Sequence, residues 1–154
     1  MFEIDWPQIT FNLTQLGIAF VLAIPVAYNR EHKARGAGLR TFPLVSIASC
    51  AYMLLGMAVF EGDDATARVT YGIITGMGFI GGGAILKTRG TVLGTATAAS
   101  IWNTGAIGIS VAQQLYEIAL LLSLINFLIL RFATPLKRKD KAELDEDQPE
   151  KEEE

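Results

Sequence analysis

Apolar and polar residues alternate along this chain in blocks rather than at a fixed short period. Five apolar segments stand between charged links: about Trp6–Tyr28, Thr41–Phe60, Val69–Leu86, Val92–Ala112 and Ile118–Ala133. Four of them approach or reach the length that carries a helix across a bilayer, and the fifth is at the short end. Trp6 and Tyr28 bracket the first segment, as aromatic residues do at membrane interfaces. Pro25 removes a backbone donor near the end of that segment, so a kink is expected there. The pattern predicts an all-α integral membrane protein, a bundle of five transmembrane helices.

Charge fixes the expected orientation. Twelve of the 13 Lys and Arg residues fall on one side of a five-span arrangement, and only Arg68 falls on the other. Basic residues collect on the cytoplasmic side. This places the N-terminus outside and the C-terminus in the cytoplasm, in a multi-pass protein of the bacterial inner membrane. Joining the last two segments would demand one helix of about 40 residues, more than a bilayer accepts. Pro135 is expected to end the fifth helix. The organisation is then a transmembrane domain over 1–135 and a charged cytoplasmic tail over 136–154. That tail is basic and then acidic, with little to bury, and is expected to be disordered.

Composition adds little beyond this. Hydrophobic residues make up 51% of 154, and the net charge of −3 owes its sign to the acidic tail. The single cysteine, Cys50, excludes an intramolecular disulfide and sits in an apolar run as a buried thiol would. The start, MFEIDW, lacks a basic region, so no cleaved signal peptide is expected.

The third segment is the most informative. Gly76, Gly78 and Gly81 spell G-x-G-x-x-G, a dinucleotide pattern when it follows a strand and precedes an acidic residue. No Asp or Glu occurs between Ala65 and Tyr116, which removes the ribose ligand. The other reading is close helix packing. Gly72 and Gly76 are four apart, as are Gly78 and Gly82, with Gly83 beside them. Small residues at that spacing let helix backbones approach closely in lipid. Gly76 is expected to line the contact between the third and fourth spans, with Gly105 on the fourth span as a further packing residue.

The candidate chemistry is sparse. Asp63 and Asp64 are candidate ligands for a divalent cation at the outer mouth, and Asp64 can pair with Arg68 one helical turn on. The alternative is an acidic helix start opposing the helix dipole. Arg30, Glu31 and Arg40 lie at the inner face, as headgroup contacts or as an ion-pair network that docks the inner loop. Asn103 lies within the fourth span, where an amide serves as interhelical glue or as part of a transport site. His32, the one histidine, has no metal set around it. No catalytic set, cofactor or nucleic-acid partner is implied. The expected partners are the bilayer, a membrane protein or a second copy, and a weakly held divalent cation.

Three motifs in order, NREHKARGAGLRT, RVTYGIITGMGFIGGGAIL and GTATAASIWNTGAIGI, resemble the MgtC/SapB family of bacterial inner-membrane proteins. The resemblance covers about Ala27–Gly108. Arg30-Glu31 resemble the family's inner basic-acidic motif, and Ala37–Thr41 its AGLRT. Arg68 resembles the arginine that opens the third span. Gly76, Gly78, Phe79, Gly81 and Gly83 follow its glycine motif, and Thr97, Ala98, Ala99 and Trp102 its fourth-span motif. Asn29 stands where members often have Glu, and Ala65 where they have an outer Asp. The resemblance implies four or five membrane helices and a link to low magnesium, virulence and intracellular survival. It also implies restraint of other membrane proteins, the ATP synthase among them. The chain is expected to lack the soluble ACT-like domain that some members carry. The function expected is a non-enzymatic modulator of a partner membrane protein, tied to magnesium or ion homeostasis and to stress or virulence adaptation. The alternative is an oligomeric channel or transporter for a cation such as magnesium.

Overall fold

The computed structural model describes residues 4–33, 37–88 and 91–146. Five helices account for most of them: α1 (Trp6–Lys33), α2 (Thr41–Val59), α3 (Asp63–Gly83), α4 (Thr95–Ala112) and α5 (Tyr116–Glu146). Between α3 and α4 lies a hairpin of β1 (Leu86–Thr88) and β2 (Thr91–Leu93), paired antiparallel with Leu86 opposite Leu93. The segment expected to be helical to Leu86 therefore stops at Gly83, and the expected bare link is a ladder. Three glycines in a row end the helix because each adds backbone entropy and no packing.

Among the described residues, two helical segments, Trp6–Glu31 and Thr41–Val59, are long and apolar enough to cross a membrane. α2 starts where the sequence places it, between Arg40 and the acidic link that begins at Glu61. α1 continues through Pro25. α5 likewise continues through Pro135 to Glu146, past the stop expected at Pro135. One proline costs a helix one donor, and bonds on either side can carry the chain past it. The rest of the expected tail, 147–154, lies outside the described residues.

α4 is the centre of the bundle. It contacts α1, α2, α3 and α5, and eleven of its 18 residues are buried. Small side chains make this possible: Ala98, Ser100, Thr104, Gly105, Gly108 and Ala112 all lie inside. Gly108 is required by close approach. A Cβ there would collide with the α2 backbone at Ser46, and would lie 2.9 Å from the Cys50 nitrogen and the Ser49 Cβ. Around α4 the core has two halves. One holds Ala19, Cys50, Met53, Ile107, Val111 and Ala119, and the other Val26, Phe42, Val45, Met77, Ile101 and Leu130.

Polar side chains tie these helices together. Ser46 donates to the Ala19 carbonyl (2.9 Å), Ser123 to the Leu22 carbonyl (2.6 Å) and Gln15 to the Tyr116 hydroxyl (2.7 Å). Such bonds join α1 to α2 and to α5. Ser100 donates to Asn126 Oδ1 (3.2 Å), which joins α4 to α5. An apolar surround makes an unpaired hydroxyl or amide costly, so these residues face inward to one another. The outward faces carry Leu13, Val21, Leu44, Leu55, Leu121, Ile125 and Phe132, all exposed, an apolar collar suited to lipid.

Candidate functional site

Two features stand apart from this packing: an open groove on one side of the bundle and a buried arginine at one end. The groove runs between α2 and α3, because α3 rests on the bundle along a narrow line. Only Met77 and Gly81 of its 21 residues are buried. They are four apart and so share a face. Met77 lies in the space opposite Gly105, where a Cβ would meet its Cε at 2.7 Å. Gly81 lies against the Ala98 carbonyl, 3.1 Å from where its Cβ would be.

This narrow contact corrects the expected role of the other glycines. Gly72, Gly76, Gly78, Gly82 and Gly83 are exposed, and a Cβ built on any of them meets nothing within 4 Å. The pairs read from spacing lie to either side of the contact line, one residue or more around the helix from Met77 and Gly81. Gly72 and Gly76 line the groove instead, a cavity of about 960 Å³. Leu44, Tyr52, Val69, Ile73, Phe79 and Ile80 contribute to its walls, and Arg40 is the one charged residue lining it. Phe79 is 87% exposed. Spacing identified a smooth helix face but not which neighbour within the chain meets it.

At the end of the bundle that holds the end of α1 and the starts of α2 and α4, the inner motif divides. Glu31 is exposed, and its Oε2 accepts the Leu39 amide at 2.8 Å, which fastens the loop before α2. Its neighbour Arg30 points the other way, into the protein, and is only 9% exposed. Its Nη2 donates to the Thr97 hydroxyl in the first turn of α4. The loop is thus docked by a carboxylate on a backbone amide, with Arg30 engaged elsewhere. Arg40 is exposed at the groove. The side chain of His32 lies outside what is described.

The remaining predicted residues divide as follows. Asp63, Asp64 and Arg68 are exposed in the first turns of α3, where the two acids oppose the helix dipole. Among the described residues no three metal-ligating side chains come together. Asn103 donates to the Leu122 carbonyl at 3.3 Å, an α4–α5 tie. Missed from the sequence were Thr97 as the partner of Arg30 and Asn126 as the partner of Ser100. The available signal was the presence of Arg and Asn in otherwise apolar stretches, where an inward orientation is the rule.

The comparisons agree with the motifs. A family model described as the MgtC family matches residues 16–139. Protein slr0014 of Synechocystis sp. is 36% identical over 79% of this chain and 50% of its own length. Protein SrpB of Synechococcus elongatus is 31% identical over 87% of this chain and 79% of its own. A protein of Escherichia coli K12 named "Putative magnesium transporter YhiD" is 32% identical over 77% of this chain and 58% of its own. The chain thus matches about half the length of some curated relatives and about four fifths of another. No solved structure matches. With its family model spanning most of the helical bundle and relatives above 30% identity on either side, the chain belongs to the MgtC family.

Proposed function

We propose that this protein is a non-enzymatic, multi-pass protein of the bacterial inner membrane that modulates a partner membrane protein, in connection with magnesium or ion homeostasis. The link to stress and virulence adaptation rests on family resemblance. The observation that carries the reading is the open glycine face of α3 beside the α2 groove. Glycine costs helix stability wherever it is not used. Gly72 and Gly76, the open glycines on the groove side of α3, are accounted for when another helix seats there, because small residues allow backbones to come together in lipid. All five helices cross the bilayer in this reading, with the N-terminus outside and the basic end in the cytoplasm.

The test is site-specific photo-crosslinking in native membranes, with probes at Tyr52 and Phe79 on the groove and at Leu124 on an exposed face of α5. The expected result is one membrane protein crosslinked from the two groove positions and absent from Leu124. Gly76→Leu, which fills the groove, should abolish that crosslink. Equal labelling from all three positions would refute the reading.

A second reading, an oligomeric cation transporter, is favoured by the name of the Escherichia coli relative, a putative magnesium transporter. Magnesium flux into liposomes holding the purified protein separates the two. Flux that saturates with magnesium and is lost in Asp63→Asn/Asp64→Asn supports transport, and no flux above empty liposomes supports modulation.

A further inference from the structure

The surroundings of Arg30 are electrostatically incomplete. Its guanidinium offers five N–H donors. One meets the neutral Thr97 hydroxyl, and the buried Nε has no partner. A buried cation is normally paired. Glu31, the nearest acid in sequence, is committed to the Leu39 amide. The other acids with described side chains, Asp5, Glu61, Asp63, Asp64 and Glu117, sit at the opposite helix ends.

What Arg30 faces makes the imbalance larger. Thr97 is in the first turn of α4, an 18-residue helix whose N-terminus carries partial positive charge. The residue before that turn is Gly94, in the left-handed conformation at φ 85°, which a side chain rarely adopts. Its Cβ would also collide with the Ala84 carbonyl, so glycine is needed there and no side chain caps the helix. The first-turn amides of Thr95, Ala96 and Thr97 thus lack the usual capping oxygen. A helix start and an arginine, both positive, converge on one place and nothing negative among the described side chains joins them.

We propose that Arg30 and the uncapped first turn of α4 form a binding site for a phosphate-class oxyanion. Helix N-termini and arginine are the two groups best suited to such an anion, the first through its amides and the second through its fork of donors. The anion takes the free Arg30 donors on one side and the α4 amides on the other, and it compensates both positive charges. The site is independent of the α2–α3 groove, so it stands whichever partner that groove takes. Two sources supply this chemistry at a cytoplasmic membrane face: the phosphate of a phospholipid headgroup and a free phosphate.

The experiment is thermal unfolding of the full-length purified chain under two regimes. In the first, inorganic phosphate is added to protein in an uncharged detergent. In the second, the protein sits in bilayers of digalactosyl diacylglycerol, which holds no phosphate, with or without phosphatidylglycerol. The variants are Arg30→Gln, Thr97→Asp, which sets a carboxylate against the guanidinium, and Lys87→Gln as an exposed control at the same end. Wild type and Lys87→Gln are expected to gain about 2–4 °C in one regime or both. Arg30→Gln and Thr97→Asp are expected to gain nothing, and Thr97→Asp to match or exceed wild type without added anion. A gain with phosphatidylglycerol alone assigns the headgroup, and a gain with phosphate in detergent assigns the free anion. No gain for wild type in either regime, or an equal gain in Thr97→Asp, overturns the proposal. The Thr97→Asp result decides it even if Arg30→Gln fails to fold.

Discussion

α3 and α4 are both rich in glycine, and they use it in opposite ways. In α4, Gly105 and Gly108 are buried under Met77 and the α2 backbone. In α3, Gly72, Gly76, Gly78, Gly82 and Gly83 face open space. α4 also holds its neighbours through Ser100 and Asn103, whereas the side-chain hydrogen bonds from α2 and α3 across their interface end on the methionine sulfurs of Met53 and Met77. Glycine content therefore measures how closely a helix can be approached, and contact geometry decides whether the approach has been made within the chain. α4 is finished by the fold, while α3 presents a surface the fold leaves over.

Substitutions can break this contrast, and the largest effect is expected at Gly108. Gly108→Leu drives a branched side chain into the α2 backbone, which cannot yield as a flexible tip can. The overpacking cost should reach or pass the top of the usual range of about 1–3 kcal/mol. The check is the yield of monodisperse protein in detergent and its thermal midpoint.

Gly105→Ala is expected to be milder, about 1 kcal/mol, because the atoms in its way belong to the flexible Met77 side chain rather than to backbone. The double variant with Met77→Ala should cost less than the sum of the two singles, which a double-mutant cycle would read as coupling. Simple additivity would mean that Met77 is not what fills the space over Gly105.

Ser46→Ala removes the hydroxyl bond from α2 to the Ala19 carbonyl. Interhelical bonds of this kind average about 0.6 kcal/mol in a membrane protein. A small drop in unfolding free energy in detergent is the expected result.

The smallest effect on intrinsic stability is expected at Gly76, where both Gly76→Ala and Gly76→Leu should stay within about 0.5 kcal/mol of wild type. The same Gly76→Leu protein should lose its crosslink to a partner. If Gly76→Leu instead unfolds as readily as Gly108→Leu, α3 and α4 do not differ in the way described.

Sequence and structure agree best where an apolar block has charged borders. α2 was legible almost to the residue because Arg40 and Glu61 bracket it and the run between them holds no charge. α5 was misread at its end because proline has two outcomes in a helix, a break or a tolerated missing bond, and local sequence does not choose between them. The hairpin was hidden by its length, since three-residue strands carry no periodicity to detect. For the site, burial of a polar residue in an apolar stretch was readable, but its partner was not. Arg30 and Thr97 are 67 residues apart, and only the antiparallel return of α4 beside α1 brings them together. The same limit explains the glycines. Spacing defines a face, and which neighbour meets that face is set by the arrangement of the whole bundle.

The short β1–β2 ladder has a mechanical consequence. It begins three residues after α3 ends and finishes two residues before α4 begins, with Leu86, Lys87 and Thr88 paired to Leu93, Val92 and Thr91. A paired ribbon resists stretching in a way that a loose loop of the same length does not. α3 packs on α4 at Met77 and Gly81, and its end is linked through the ribbon to Gly94. The end of α3 is thereby tied to the first turn of α4, where Thr97 holds Arg30.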